Sequence, residues 1–342
     1  MTFLNHSLIR KLTLFLVAAM LSVSAMALDF NQMQRLANQG DATAQHNLGV
    51  MYTKGSGVRQ DYAKAAQWYE KAANQGMPDA QAILGVKYYE GKGVRQDYAK
   101  AAQWYEKAAN QGFARAQYNL GVMYYKGEGV RQDSTKAAQW YEKAANQGYA
   151  EAQASIGRFY YLGEGVRQDS TKAAQWSEKA ANQGYLEAQA ILGAMYYEGE
   201  GVRQDYAKAA QWYEKAAKQG DAGAQNEIGA MYYKGEGVRQ DYAKAAQWYE
   251  KAANQGYAEA QNGIGAMYYK GSGVRQDYAK AAQWYEKAAN QGFAFAQSNL
   301  GTMYYEGKGV RQNMATAKEW FGKACDNGAQ NGCDGYRILN QR

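Results

Sequence analysis

Apolar residues recur along residues 77–112 at helical spacing in two separate stretches. In the first, Ala80, Leu84 and Tyr88 fall at i, i+4 and i+8, the stripe that a helix buries. Pro78 stands at its start, where a missing N–H costs nothing, and Gly91-Lys92-Gly93 interrupts it. In the second, Ala101, Ala102, Tyr105, Ala108 and Ala109 form a stripe between Asp97 and Gly112. A carboxylate at the start of a helix accepts hydrogen bonds from unpaired backbone N–H groups, and a glycine just past its end tolerates positive φ. The pattern predicts a helix–loop–helix hairpin. Gly85 lies inside the first helix, where glycine costs ~1 kcal/mol relative to alanine. Close approach of the two helices of the hairpin is the expected reason for it.

The hairpin repeats. Gly40, Gly76, Gly112, Gly148, Gly184, Gly220, Gly256, Gly292 and Gly328 recur every 36 residues, so residues 41–328 form eight units. The mid-helix glycine recurs with them as Gly49, Gly121, Gly157, Gly193, Gly229, Gly265 and Gly301. A fixed period of this size predicts a solenoid in which each unit buries its apolar face against its neighbours. It also bounds function, because near-identical units present many copies of one surface and not one catalytic constellation. Composition agrees: 38 Gly, a single Pro, 31 Tyr and 8 Trp, with every Trp at the same place in its unit.

At the N-terminus, Arg10 and Lys11 precede a short apolar run from Leu12 to Met20, followed by Ala25-Met26-Ala27. These are the three regions of a secretory signal, and cleavage is expected near Ala27. The run is shorter than the ~20 residues of a spanning helix. The absence of Cys after the site argues against a lipoprotein, and no transmembrane segment is expected in the mature chain. The formal charge is +7, and loss of Arg10 and Lys11 leaves +5. Basic chains bind nucleic acid when the charge is clustered. Here signs alternate, as in Glu70-Lys71 and Glu106-Lys107, so no nucleic-acid partner is expected.

Ala-Gln-x-x-Leu-Gly-x-x-Tyr, Gly-x-Gly-Val, Asp-Tyr-x-Lys-Ala and Trp-Tyr-x-Lys-Ala-Ala-x-Gln-Gly resemble the Sel1-like repeat, a relative of the tetratricopeptide repeat, across all eight units. The resemblance implies an all-α, right-handed α/α superhelical solenoid. It implies that the first helix of each pair lines a concave surface, and that the protein is a non-enzymatic adaptor for other proteins. Arg after Gly-Val, as at Arg59 and Arg95, departs from the proline frequent there, which affects loop stiffness and not fold.

The expected organisation is a signal peptide at 1–27, an N-terminal capping helix at 28–40, eight repeats at 41–328 and a C-terminal cap at 329–342. Met33, Leu36 and Ala37 match the end of a second helix. In the last repeat Asn313 replaces the Asp cap and Phe321 replaces Tyr. Cys325 and Cys333 are the two cysteines, and in an exported chain such a pair predicts a disulfide. Their spacing also resembles the cysteine-rich Sel1-like proteins of bacteria, in which each repeat carries a bridge. Closing this loop contributes ~2–3 kcal/mol.

Signals of catalysis are weak. His46 is the single histidine after the signal, at a surface-facing register, which is a poor zinc set and leaves no Cys–His or Ser–His pair. The Gly-x-Gly loops follow no strand and lack the third glycine of a dinucleotide fingerprint. No catalytic residue, cofactor or metal is expected. Some cysteine-rich relatives are described as β-lactam-binding or β-lactamase-like, but Ser-x-x-Lys is absent, so that reading is a minor alternative.

Numbering each unit 1–36 from the residue after its terminal glycine places positions 3, 6, 10 and 13 on one face of the first helix. The resemblance makes this the concave face. Position 13 is Tyr89, Tyr125, Tyr161, Tyr197, Tyr233, Tyr269 and Tyr305. Arg115, Glu151, Glu187 and Glu259 at position 3, and Tyr118, Asn226 and Asn262 at position 6, vary while the rest of the unit scarcely changes. The tyrosine ladder suits an extended protein segment or a cell-wall glycan. The competing reading is that these rings pack between repeats. In the fourth unit Ser177 replaces the second-helix aromatic, beside Arg158-Phe159 and Leu162. A softer junction at residues 149–184 is expected, unless Phe159 or Leu162 refills the space.

Overall fold

The computed structural model describes residues 30–341. The expected signal peptide lies outside them, as do the first two residues of the expected N-terminal cap. All regular structure among the described residues is α-helical. The helices are α1 (residues 30–38), α2 (Ala42–Lys54), α3 (Tyr62–Asn74), α4 (Pro78–Glu90), α5 (Tyr98–Asn110), α6 (Ala114–Lys126), α7 (Ser134–Asn146), α8 (Ala150–Leu162), α9 (Ser170–Asn182), α10 (Leu186–Glu198), α11 (Tyr206–Lys218), α12 (Ala222–Lys234), α13 (Tyr242–Asn254), α14 (Ala258–Lys270), α15 (Tyr278–Asn290), α16 (Ala294–Glu306), α17 (Met314–Asp326) and α18 (Gln330–Asn340). Even-numbered helices from α2 are the first helices of repeats 1–8, and α18 follows the last hairpin.

The chain divides into two compact units, Met1–Gln168 and Asp169–Arg342, and the division falls in the loop of repeat 4. Within each unit every first helix packs on its own second helix, and every second helix packs on the next first helix. This is an all-α repeat solenoid. The elements form for the reasons legible in the chain. Asp97 accepts from the Lys100 N–H at 3.0 Å and starts α5, and Gly112, with φ +87°, ends its last turn.

The mid-helix glycine has a specific cause. A Cβ at Gly85 would stand 2.6 Å from the ring of Tyr105, the position-29 aromatic of the same hairpin. The ring packs directly on the glycine, so hydrophobic burial of a tyrosine outweighs the helix-propensity cost. A second glycine joins neighbours: a Cβ at Gly93 would overlap the Tyr62 carbonyl at the start of α3. The loop of one repeat therefore sits directly on the backbone of the previous second helix.

A buried polar seam runs between repeats. Gln81, 4% exposed, donates from Nε2 to the Ala73 carbonyl of the preceding repeat at 3.1 Å. Its Oε1 accepts from Gln111 Nε2 at 2.8 Å, and Gln111 also donates to the Gly76 carbonyl at 3.0 Å. The position-5 glutamine makes the equivalent main-chain bond in every repeat. The Ala73 carbonyl already accepts from the Gly76 N–H at 3.0 Å, and adding a side-chain donor from inside the core makes this interface directional.

In repeat 4, Phe159 is buried against Tyr125 and Tyr141, with ring centroids 5.4 and 5.3 Å away. Leu162 is 54% exposed and refills nothing. At the C-terminus, Asn313 caps α17 through the Thr316 N–H, and the Cys325–Cys333 disulfide ties the last turn of α17 to α18. α18 also packs on α16.

Candidate binding face

Consecutive first helices lie side by side within each unit and carry the variable positions between them. A groove of about 290 Å³ lies between α4 and α6. Val86, Tyr89 and Glu90 form one wall; Arg115, Tyr118, Asn119, Val122 and Met123 form the other; Tyr105 closes the floor. Tyr89, Arg115 and Tyr118, read from three positions of the sequence, meet here. Larger hollows of about 580 and 630 Å³ sit at the loop ends of repeats 3 and 6. They are lined by the Tyr, Val, Arg, Gln, Asp and Lys that nearly every repeat carries, so they hold no partner-specific information.

The position-13 tyrosines are half-buried, from Tyr89 through Tyr125, Tyr161, Tyr197, Tyr233, Tyr269 and Tyr305. Each of Tyr89, Tyr197, Tyr233 and Tyr269 leans on the position-22 tyrosine of its own hairpin, at centroid distances of 5.1–5.2 Å. Hydroxyls of the ladder reach the next repeat: Tyr89 donates to Glu128 at 2.7 Å, Tyr197 to Glu236 at 2.8 Å and Tyr269 to Glu306 at 3.1 Å. Tyr233 accepts from Lys270 at 3.3 Å. At Tyr89, Tyr197, Tyr233 and Tyr269 the ladder thus packs between repeats, while part of each ring remains open to solvent. In repeats 3 and 4, Ser134 and Ser170 replace the supporting tyrosine, and Tyr125 is covered by Phe159 and the Arg158 guanidinium instead.

At position 3, Arg115, Glu187 and Glu259 are exposed and Glu151 is half-buried. Position 6 is deeper than its register implied. Tyr118 packs at a tilt against Tyr141 and Tyr149, Asn226 donates to Glu227 at 3.1 Å, and Asn262 accepts from Asn299 at 2.9 Å. His46 also differs from the expected solvated side chain: its ring meets Tyr69 edge-on at 5.6 Å, and Nε2 is buried with no hydrogen-bond partner among the described residues. No group of three or more His, Cys, Asp or Glu among those residues is arranged to hold a metal ion.

Sequence reasoning missed position 7, which carries Asn119, Glu227, Gly263 and Asn299 and lies beside positions 3 and 10 on the same face. Its variability was the available signal. Gly263 leaves the ring of Tyr249 uncovered, since a Cβ there would stand 3.2 Å from it. Burial raises the Glu227 carboxyl above the usual carboxylate range, and Glu259 and Glu198 on the adjacent first helices act in the same direction. Burial likewise pushes up the position-29 tyrosines Tyr105, Tyr141, Tyr213, Tyr249 and Tyr285. Tyr89 is pushed up to about 12, chiefly by its hydrogen bond to Glu128.

Among the described residues, no helix is long and apolar enough to cross a membrane. No curated protein matches the chain. Among solved structures it is similar to a Sel1 repeat protein from Oxalobacter formigenes, at 34% identity and TM-score 0.66, covering 93% of each chain. It is also similar to a protective antigen present in uropathogenic Escherichia coli strains, at 33% identity and TM-score 0.55, covering 92% of this chain and 83% of that one. The Sel1 repeat signature matches residues 42–77, 78–113, 114–149, 150–185, 186–221, 222–257, 258–293 and 294–328. Repeats of this kind generally build non-catalytic scaffolds, typically for protein–protein interaction. With eight consecutive matches and the hairpin geometry described above, the chain belongs to the Sel1 repeat family.

Proposed function

We propose that this protein is an exported, non-enzymatic scaffold that binds a segment of another protein along the exposed face of its first helices. The observation that carries this reading is the groove between α4 and α6, where Tyr89, Arg115, Tyr118 and Asn119 converge. Aromatic walls supply contact area at low entropic cost, and one cation with several amide and hydroxyl groups supplies orientation. Export is supported by the signal-like N-terminal sequence and by the Cys325–Cys333 disulfide, a bond that persists in oxidising compartments.

Placing a photo-crosslinking amino acid at Asn119, in living cells, tests the reading against the same residue at Gln103 on the exposed side of α5. A discrete protein adduct from position 119 and none from 103 is expected. Equal adducts from both positions would remove the face assignment. Retention on purified peptidoglycan that disappears in Tyr89→Ala would replace a protein partner with a glycan.

A further inference from the structure

Position 11 of the repeat belongs to the core. It is Met51, Met123, Met195, Met231, Met267 and Met303 in six repeats and Phe159 in a seventh. In repeat 2 it is Lys87, which is only 5% exposed. Its Nζ lies 4.9 Å from the ring centroid of Tyr62, on the second helix of the preceding repeat. Lys92, from the loop after α4, reaches the same ring at 4.4 Å. Position 16, where Lys92 stands, is Glu128, Glu164, Glu200 and Glu236 in repeats 3–6. Where those repeats pair an apolar side chain with a carboxylate, repeat 2 brings together two ammonium groups.

Among the described residues, neither ammonium takes part in an ion pair or hydrogen bond; the Tyr62 ring is what they share. Burial first, and the charge of Lys92 second, lower the Lys87 pKa below the usual lysine value, while Glu90 acts weakly in the opposite sense from an exposed position. Asp61, the acid adjoining Tyr62, is engaged by the Ala63 and Lys64 amides and by Lys64 Nζ at 3.8 Å. The pair is also held in place, since Gly93 seats the Lys92 loop on the Tyr62 carbonyl. A cation–π contact offsets part of the desolvation of one ammonium. It does not offset the repulsion between two, and a buried charge left unpaired is strongly unfavourable.

We propose that Lys87 and Lys92, arrayed on Tyr62, form an oxyanion site that takes a phosphate group. Two positive charges match the near-dianion of a phosphate or phosphomonoester. Lysine binds tetrahedral phosphate as a point charge, whereas planar carboxylate is the geometric match of the arginine fork. The site is separate from the groove between α4 and α6, whose lining includes neither lysine, so it can stand or fall apart from the protein-binding reading.

The full chain is melted in increasing inorganic phosphate, in phenyl phosphate, and in sodium chloride at matched ionic strength. A ligand that binds only the folded state raises Tm with its concentration, whereas general salting effects act on any folded variant. The expected result is a phosphate-specific rise in Tm that vanishes in Lys87→Met and in Lys92→Glu, each the residue other repeats place there. Lys87→Met should also melt higher than the natural chain in chloride, because it removes a buried charge. Response to phenyl phosphate as well as inorganic phosphate assigns the site to an esterified ligand; response to inorganic phosphate alone assigns it to the free ion. An equal rise in the natural chain and both variants, or no rise beyond chloride, overturns the proposal.

Discussion

The second helices of repeats 1, 2, 6 and 7 are the same thirteen residues, Tyr-Ala-Lys-Ala-Ala-Gln-Trp-Tyr-Glu-Lys-Ala-Ala-Asn. No two of the eight first helices are alike. The difference follows from how many neighbours each helix must satisfy. In α5, Ala101 and Ala108 are fully buried, Tyr105 lies on Gly85, and Lys107 covers the Trp104 ring at 4.0 Å. That helix packs on α4 before it and α6 after it, and few positions are left to vary. A first helix meets the same demand through positions 4, 5, 8 and 9, and its positions 3, 6, 7 and 10 are open to other uses. Sequence identity between repeats therefore records packing, and under the proposed function the differences on the open face of the first helices are where a partner would be read.

The largest expected effect lies on the constant side. Tyr105→Ala should cost about 3–5 kcal/mol, the loss of a buried aromatic, read as a lower urea midpoint. Arg115→Ala, on the variable face, should move that midpoint by no more than about 0.5 kcal/mol. Comparable losses from both would erase the distinction between the two faces.

Gln81→Ala sharpens the comparison, because glutamine is polar and yet belongs to the constant set. Its removal deletes two hydrogen bonds, leaving the Ala73 carbonyl with the Gly76 N–H and the Gln111 amide with the Gly76 carbonyl, at a cost of about 1–3 kcal/mol for the two. Hydrogen exchange should accelerate at the end of α3 and the start of α4 first. Uniform protection in the variant would mean that water replaces the seam without loss.

The smallest effect concerns the ladder, which belongs to both sides. Tyr89 is pushed up to about 12 in the folded chain, against 10.0 for a free tyrosine. Above pH 10 the unfolded chain gives up a proton that the folded chain keeps, so this contribution is present below pH 10 and is lost as pH rises to about 12. Tyr89→Phe should flatten the stability profile across that window. An unchanged slope would show that the Glu128 hydrogen bond does not persist in solution. The buried position-29 tyrosines shift in the same direction, and their tyrosinate absorbance should appear only as the chain unfolds.

Much of the fold could be read from residues such as Asp97, Gly85 and Gly112, because caps, close approaches and helix ends depend on neighbours within one hairpin. The site was legible in part. Tyr89, Arg115 and Tyr118 came from helical spacing, but Asn119 did not, since a face read at i, i+3, i+7 and i+10 leaves out the i+4 residue beside it. The ladder could not be assigned by spacing at all, because a tyrosine has an apolar edge and a polar tip, and each finds a different repeat.

By itself, the sequence determined the hairpin, the eightfold period and the family, because these rest on local backbone preferences repeated at fixed intervals. Only the tertiary structure decided that Gln81 is a core residue, that Tyr89 bonds across to Glu128, and that Lys87 and Lys92 share one tyrosine ring. Each of those depends on atoms about one repeat away in the chain, and burial there reverses what an isolated polar or charged side chain would do.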